Sequence, residues 1–170
     1  MISSDFKIIR SLQELDFRQL MDVYEESNRL NGSMHYRRLS DSEQLIMAEN
    51  DFYTFFKDSF FTDGGLCAVW IAEGRYVAAL RLERYRNGLL LEGLETAPNA
   101  RGRGYATALV GHVLAHLREQ KYTTVYSHVM KNNWMSLAVH NANGFRIVQD
   151  YAAFVDGSVS HNSYTLCYQL

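Results

Sequence analysis

Hydrophobic and polar positions alternate along parts of the 170-residue chain with a period of two and along others with a period near 3.6. Three successive apolar runs are separated by the dipeptides Glu73-Gly74 and Asn87-Gly88. Such dipeptides favour two-residue hairpin turns, because Gly and Asn tolerate positive φ. The pattern therefore predicts a three-stranded antiparallel meander with strands at residues 66–72, 76–85 and 89–96.

The amino-terminal segment predicts one strand followed by two helices. An apolar run at residues 6–9 favours a short strand, and Ser11 then caps a helix whose apolar positions follow at helical spacing: Leu12, Leu15, Leu20, Val23 and Tyr24. Residues 28–40 are polar and aperiodic, which indicates a loop. A second helix is expected to begin at Ser40 or Asp41, where the sequence Ser-Asp-Ser-Glu has the pattern of a capping box.

The carboxy-terminal half predicts a further alternation of helices and strands. Its patterns favour an amphipathic helix at 105–121, a strand at 123–129, a short helix at 133–143, and strands at 145–154 and 164–170. The resulting order is β-α-α-β-β-β-α-β-α-β-β. It predicts one mixed α/β domain over residues 1–170, with about seven strands and four helices.

Composition narrows the function classes. The chain is 47% hydrophobic and carries 17 Lys+Arg against 19 Asp+Glu, a net charge of −2. This apolar content is enough for a sizeable core and excludes a disordered chain, while the near-neutral charge argues against a nucleic-acid partner. Cys67 and Cys167 lie a hundred residues apart and outside any C-x-x-C pair. Neither a disulfide framework nor a zinc ribbon is therefore expected.

No leader and no membrane span is expected from the sequence. Charged residues interrupt the first twenty positions, which leaves no apolar core for a signal peptide. The longest uninterrupted apolar run covers residues 66–72, far short of the ~20 residues that a spanning helix needs. We therefore expect a cytoplasmic protein without a membrane partner.

A glycine-rich turn before the long helix at 105–121 carries the strongest chemical signal. Gly102 and Gly104 lie in this turn beside Arg101 and Arg103. Exposed amides at a helix N-terminus, aided by the helix dipole, bind anions, and glycines let a ligand approach the backbone closely. Arginines add charge-assisted contacts to phosphate. We therefore expect this turn to bind a pyrophosphate.

Two common pyrophosphate sites do not fit this turn. The G-x-G-x-x spacing continues to Thr107 rather than to Gly or Ala, and no acid stands about 20 residues further on to hold a ribose. No G-K-[ST] follows the glycines, so the lysine and the Mg²⁺-binding hydroxyl of a P-loop are missing. Dinucleotide and P-loop nucleotide binding are both disfavoured.

The same turn resembles the phosphate loop of the GCN5-related N-acetyltransferases. Arg101, Gly104 and Ala106 fill the family pattern [RQ]-x-x-G-x-[GA]. Downstream, residues 133–145 are similar to the second family motif, usually N-x-x-[AS]-x-x-L-Y-x-x-x-G-F. The resemblance is close over residues 91–145, and the order of elements extends it over the whole chain.

The resemblance implies an acetyl-CoA site in a mostly antiparallel mixed sheet, where the strands at 89–96 and 123–129 splay apart. The loop amides would hold the pyrophosphate, and backbone groups at 94–96 would pair with the pantetheine arm. Asn133 would bond the arm near the thioester, with Asn132 as the alternative. The implied cofactor-binding residues are Leu94, Thr96, Arg101, Gly102, Arg103, Gly104, Tyr105, Ala106, Thr107, Asn133 and Ser136.

The resemblance also implies candidates for acid–base chemistry, since amine acetylation needs a base for the amine and an acid for the leaving thiolate. Glu92 lies where many family members place a carboxylate, so it is the preferred base. Glu95, which points to the opposite face if the strand is regular, is the runner-up. His140 replaces the usual tyrosine acid, and a histidine can donate a proton near neutrality. The alternatives are a solvated acid at position 92 and a helix-surface histidine at position 140.

The acceptor is expected at the first two helices and their loop, which the family generally uses for this purpose. The candidate residues are Tyr36, Phe52, Tyr53 and Phe56, although the helical spacing of this aromatic run also fits core packing. Residues 40–63 carry six acids and one lysine, a balance of −5, whereas residues 74–103 stand at +3. This segregation suits an anionic cofactor and a cationic acceptor, with a solvated helix face as the alternative.

The resemblance therefore implies an N-acetyltransferase that transfers an acetyl group directly from acetyl-CoA to a primary amine of a small molecule or peptide. The alternative is a catalytically weak acyl-CoA-binding or regulatory module of the same fold. Residues 91–93 and the second motif also show some similarity to aminoglycoside N-acetyltransferases. A homodimer is compatible with the resemblance, since dimers are common in the family.

A histidine pair on the long helix is the remaining candidate for chemistry. His112 and His116 stand at i and i+4, a spacing that can hold a metal. No catalytic Glu lies between them and no third ligand is evident in the sequence. We therefore expect a helix-face pair and no metal site.

Overall fold

In the computed structural model, the chain folds into one large sheet with helices on both faces. The structure describes residues 4–170. The strands are β1 (Ser4–Ile9), β2 (Leu66–Ala72), β3 (Arg75–Tyr85), β4 (Gly88–Thr96), β5 (Thr124–Met130), β6 (Arg146–Gln149), β7 (Ala152–Ala153), β8 (Val159–Ser160) and β9 (Ser163–Gln169). The α-helices are α1 (Phe17–Val23), α2 (Glu25–His35), α3 (Asp41–Phe55), α4 (Tyr105–Glu119) and α5 (Trp134–Ala142).

Seven strands form the main sheet in the order β1-β2-β3-β4-β5-β9-β6, and β7 and β8 form a separate two-stranded sheet. Each neighbouring pair of the main sheet is antiparallel except β4 and β5, which are parallel. The predicted mixed α/β fold, with a mostly antiparallel sheet of seven strands, is therefore confirmed. The meander is confirmed as β2, β3 and β4.

The predicted capping box at the start of α3 is also confirmed. The Ser40 amide donates to Glu43 Oε2 at 2.9 Å, and the Ser40 side chain caps the first turn of the helix in return. The helix then continues through a π-helical turn at Phe56–Phe60. Two residues of this turn, Phe56 and Phe60, are buried in the core.

The structure corrects the prediction for the segment that follows the first strand. Residues 28–35 belong to α2 rather than to a loop, so the described chain has five α-helices and not four. The apolar periodicity is missing because α2 packs on α3 through Gly32, where a Cβ would lie 2.5 Å from the Gln44 carbonyl oxygen. Its other buried residue is the polar Asn28. A helix that packs through small and polar residues carries little hydrophobic signal.

Two further boundaries differ from the predictions. Ser11 precedes only a short 3₁₀ turn at Leu12–Glu14, and α1 begins later because Asp16 accepts a capping bond from the Gln19 amide at 3.1 Å. The predicted strand at 145–154 is broken at a bend between β6 and β7. Local capping and a bend, rather than hydrophobic pattern, set these ends.

The parallel seam between β4 and β5 is short. Pairing covers only three positions, Leu89–Leu91 with Val125–Ser127. The Ser127 hydroxyl donates to the Leu91 carbonyl at 3.1 Å and closes the last paired position. Beyond it β4 continues to Thr96 without pairing to β5, so the predicted splay of these two strands is confirmed.

Strand β4 also carries a bulge directly after the seam. Its register against β3 shifts between the pairs Arg81–Glu92 and Ala79–Glu95, where three residues of β4 span two of β3. Gly93 lies in the bulge with a φ of +57°, a conformation that glycine adopts without steric penalty.

Two cores flank the sheet, one under α4 and one under α1 and α3. No helix within residues 4–170 is long and apolar enough to span a membrane.

Candidate functional site

A cleft of about 580 Å³ opens where β4 and β5 splay apart. Ten of the eleven predicted cofactor-binding residues line it: Leu94, Thr96, Arg101, Gly102, Gly104, Tyr105, Ala106, Thr107, Asn133 and Ser136. The remaining one, Arg103, lines a separate groove with Asp22 and Glu25 instead. The structure therefore brings residues of two distant sequence motifs together around one cleft.

The glycine-rich turn presents backbone amides to this cleft. Gly102 and Gly104 have φ values of +73° and +79°, and a Cβ at either position would meet no atom within 4 Å. The turn is thus open to a ligand on the side where other residues carry a side chain. Helix α4 begins at Tyr105 without a side-chain cap, so the amides of its first turn are available to an anion.

Arg101 is held by residues on both sides of the cleft. Its guanidinium donates to Glu26 on α2 at 2.6 and 3.3 Å and to the Thr96 carbonyl at 3.3 Å. Both members of the ion pair remain about half exposed. Glu26 also lines the cleft. Glu26 was not among the predicted site residues, because the apolar positions of the first predicted helix end at Tyr24 and α2 was not predicted.

Asn133 caps the helix on the opposite wall. Its side-chain oxygen accepts a bond from the Ser136 amide at 3.1 Å and defines the start of α5. Its side-chain NH₂ group and the second lone pair of the oxygen then remain for a ligand. Asn133 therefore combines a structural role with a position on the cleft wall.

A second pocket of about 410 Å³ adjoins the first between helices α2 and α3 and strands β3 and β4. Of the four predicted acceptor residues, Tyr36 and Phe52 line it. Tyr53 instead packs edge-on against Phe17 at 5.2 Å, and Phe56 is fully buried in the core. The aromatic run on α3 is thus divided between pocket wall and core, as helical geometry requires.

Glu95 lines both the cleft and the second pocket, whereas Glu92 lines neither. The expectation that Glu95 points away from Glu92 is wrong, because the bulge at Gly93 adds one residue and restores both carboxylates to one face of β4. Burial raises the pKa of Glu95 above its ordinary value, and the Ser27 hydroxyl and Arg81 oppose this shift. A carboxylate with a raised pKa at the junction of two pockets has the properties of a general base.

Tyr24 fixes the bulge from the α1–α2 side. Its buried hydroxyl donates to the Gly93 carbonyl at 2.6 Å, and burial raises the pKa of the phenol well above its ordinary value. A Cβ on Gly93 would lie 3.2 Å from this hydroxyl and 3.3 Å from Arg81 Nε. The bulge, Tyr24 and Arg81 therefore form one tightly packed unit beside Glu95.

His140 lies away from the cleft wall. It is 1% exposed, its Nδ1–H donates to the Ser136 carbonyl at 2.8 Å, and its ring packs edge-on against Phe145. Burial lowers the pKa of His140 below its ordinary value, and the bond to Ser136 opposes this shift. The adjacent Val139 lines the cleft instead. His140 is therefore not a helix-surface histidine, and its role as a catalytic acid stays a prediction.

The histidine pair on α4 lies against aromatic side chains. The His112 ring packs at 4.9 Å from Trp70 and 5.6 Å from Phe6, and the His116 ring lies 6.5 Å from Phe6. Among residues 4–170 no group of three or more His, Cys, Asp or Glu side chains is arranged to hold a metal ion.

Comparison with known proteins identifies the arrangement. The model of the Acetyltransferase (GNAT) family matches residues 18–145. No curated protein matches the chain. Among solved structures, the chain is similar to a probable acetyltransferase from Staphylococcus epidermidis, with 14% identity, 98% of this chain and 99% of that chain covered, and a TM-score of 0.66.

Two further solved structures share the fold. The paia N-acetyltransferase from Thermoplasma acidophilum, solved in complex with coenzyme A, is 12% identical over 98% of this chain and 99% of that chain, with a TM-score of 0.64. The ribosomal-protein-S18-alanine N-acetyltransferase from Escherichia coli is 16% identical over 97% and 94% of the two chains, with a TM-score of 0.62. These likenesses establish the architecture around the cleft.

Proposed function

The chain belongs to the GNAT acetyltransferase family, and we propose that it transfers the acetyl group of acetyl-CoA directly to a primary amine of a small molecule or peptide. The observation that carries this proposal is Glu95, a half-buried carboxylate shared by the cofactor cleft and the adjoining pocket. Such a group can serve an amine in one pocket while the acyl donor lies in the other.

The cleft fits coenzyme A in its donor set. The open glycine turn and the free amides of α4 suit a diphosphate, with Arg101 as the side-chain cation. At Leu94–Thr96 the edge of β4 that faces away from β3 is not paired to β5, so it offers backbone groups to the two amides of the pantetheine arm. These amides would cost free energy if they were buried without partners. When bound, acetyl-CoA supplies an acetyl thioester whose acyl group passes to the amine with release of the free thiol.

Glu95 is the proposed base of this reaction, in place of the initially preferred Glu92. An ammonium group must lose its proton before it can attack, and a carboxylate removes it best when its pKa is raised toward neutrality. Burial acts on Glu95 in this direction. We do not assign protonation of the leaving thiolate to His140, because its ring faces Phe145 and its Nδ1–H is already bonded.

The test is release of free thiol from acetyl-CoA by the purified protein across a panel of amines, with acetyl-CoA binding measured separately by calorimetry. We expect micromolar binding and amine-dependent thiol release. Binding without release from any amine would support the non-catalytic acyl-CoA-binding module. Absence of binding would overturn both functions.

A further inference from the structure

The pocket beside Glu95 contains an arginine that forms no direct ion pair, although its charge acts on the Glu95 carboxylate from a distance. Arg81 projects from β3 into this pocket, with its guanidinium carbon 5.3 Å from the Phe52 ring centre and 5.5 Å from that of Phe55. Its Nε is buried and lacks a hydrogen-bond partner among residues 4–170. The guanidinium makes no ion pair within 4.0 Å and no hydrogen bond in this described part of the chain.

This isolation distinguishes Arg81 from the arginine of the cofactor cleft. Arg101 already donates to Glu26 and to a backbone carbonyl. Glu92 stands directly opposite Arg81 in the strand register, yet forms no ion pair with it. The buried Nε of Arg81 costs free energy because it lacks a hydrogen-bond partner. The two aromatic rings and the more distant Glu95 carboxylate compensate the guanidinium charge only in part. The unpaired donors of Arg81 are thus available to an anion that enters the pocket.

The acids of α3 do not supply such an anion. Asp51 is the only carboxylate of this helix that lines the pocket, and it accepts a bond from the Tyr36 hydroxyl. Glu49 is paired with Arg18 on another face, and Glu43 serves the capping box. Most of the negative charge of this segment therefore lies outside the pocket, and the expectation of a cationic acceptor stays a prediction.

We propose that Arg81 binds a carboxylate of the acceptor, so that the acceptor is an amino acid or a related amine that carries a carboxylate in the same molecule. The inference rests on the proposed function, since it assigns the acceptor amine to Glu95. Guanidinium and carboxylate groups form paired, parallel hydrogen bonds that fix orientation as well as add affinity. Arg81 then holds one end of the acceptor while Glu95 receives the proton from the other.

The other walls of the pocket indicate the size and polarity of the remaining part of the acceptor. Tyr24, Tyr36, Phe52 and Phe55 supply aromatic surface, and Asn28 and Asn31 supply amide groups. A volume of about 410 Å³ accommodates one amino-acid side chain. Among amino acids, those with an aromatic or large aliphatic side chain fit these walls best.

The experiment compares matched pairs that differ only in the carboxylate. Thiol release is measured for phenylalanine against phenethylamine, tyrosine against tyramine, and leucine against isoamylamine, with kcat/KM calculated on the free-amine concentration. Leucinamide provides a third member, in which a neutral carboxamide replaces the carboxylate and imitates a peptide N-terminus. We expect the wild-type protein to prefer the carboxylate member of the best pair by at least about tenfold.

The variant Arg81→Met tests whether this preference belongs to Arg81, and Arg84→Met on the same strand is the matched control. Arg84 lines a different surface groove, beside Arg86 and Phe154. We expect Arg81→Met to abolish the preference mainly through KM, and Arg84→Met to preserve it. Circular dichroism and acetyl-CoA calorimetry on both variants verify that the fold and the cofactor cleft are intact.

The outcomes separate this inference from the proposed function. Turnover of amines with equal efficiency for both members of each pair, or a preference that survives in Arg81→Met, would overturn the carboxylate site and leave the acetyltransferase intact. Without turnover, calorimetry of the amino acids on the coenzyme A-saturated protein decides the matter. Carboxylate-dependent binding that Arg81→Met removes would support the site, and its absence would overturn it.

Discussion

Arg101 Nη2 lies 2.6 Å from Glu26 Oε2, so that an ion pair joins the glycine-rich turn to helix α2 across the proposed cofactor cleft. The carboxylate holds the arginine in place but also adds a negative charge where a diphosphate is proposed to bind. An ion pair as exposed as this one contributes on the order of 1 kcal/mol or less to stability. Its main consequence therefore concerns ligand affinity.

The variant Glu26→Gln should bind acetyl-CoA more tightly, by about two- to fivefold at low salt, because it removes a charge that repels the diphosphate. Arg101→Ala should weaken binding by about tenfold or more, since it removes a charge-assisted contact. Calorimetry at 50 and 300 mM salt measures both effects. Weaker binding by Glu26→Gln at low salt would show that the ion pair orients Arg101 for the ligand.

The variant Glu95→Gln should lower kcat by about 10²-fold or more, because it removes the proposed base. Its matched control is Glu92→Gln on the same face of β4, which should keep kcat within a few-fold. In the wild-type protein, the acid limb of the kcat/KM profile should lie above the ordinary glutamate pKa of about 4.3, because burial raises the pKa of Glu95. A large loss in Glu92→Gln alone would return the role to Glu92.

Glu95→Gln should also raise the unfolding temperature at neutral pH. A raised pKa means that the folded state binds the Glu95 proton more strongly than the unfolded chain does. Stability from this group is therefore lost as pH rises from the ordinary pKa through the raised one, and the ionised carboxylate destabilises the fold above that window. Calorimetric scans at pH 7.5 measure the effect, and a lower unfolding temperature for the glutamine variant would contradict it.

The variant Gly93→Ala should destabilise the protein by about 1–3 kcal/mol and reduce turnover. Its positive φ is strained for alanine, and the new Cβ would press on Tyr24 and Arg81. Gly74→Ala is the matched control, because Gly74 has a φ of +74° but open space around its Cβ position. Urea unfolding of both variants separates backbone strain from crowding. Equal destabilisation and unchanged turnover would show that the bulge is not under packing constraint.

The variant His140→Leu should keep kcat within about threefold of the wild type and reduce the loss of stability in acid. Burial lowers the pKa of His140, so the unfolded chain binds its proton first as pH falls below about 6.5, and stability drops through that window. Leucine has no such proton. Urea unfolding at pH 7.5 and 5.5 measures the change, against a remaining contribution from His128, whose pKa burial also lowers. A hundredfold loss of kcat would restore a catalytic role for His140.

The cofactor cleft was predictable because its signals are local in sequence. Gly102, Gly104 and Arg101 stand within four residues of one another before an amphipathic helix, and Asn133 begins the next one. Both motifs are read directly from spacing, and the topology brings them to the two sides of one seam. The assignment of cofactor-binding roles to these residues stays a prediction.

The acceptor side was less predictable because it depends on relations that spacing does not carry. One inserted residue at Gly93 reverses the side on which Glu95 lies, and no periodicity rule anticipates a bulge. Arg81 is separated from Phe52 by 29 positions and meets it only through the packing of α3 on the sheet. Helix α2 was missed because it packs through Gly32 and Asn28 rather than through an apolar stripe.

The brevity of the β4–β5 seam has a consequence for how the molecule keeps its shape. Three paired positions and the Ser127–Leu91 bond join two smaller sheets, β1 to β4 and β5 with its neighbours. A pantetheine arm bound between the open strands would add contacts between these two smaller sheets. The protein should therefore gain about 2.7 kcal/mol of resistance to unfolding at cofactor concentrations a hundred times Kd. The resistance of the protein to proteolysis would then increase with the concentration of acetyl-CoA.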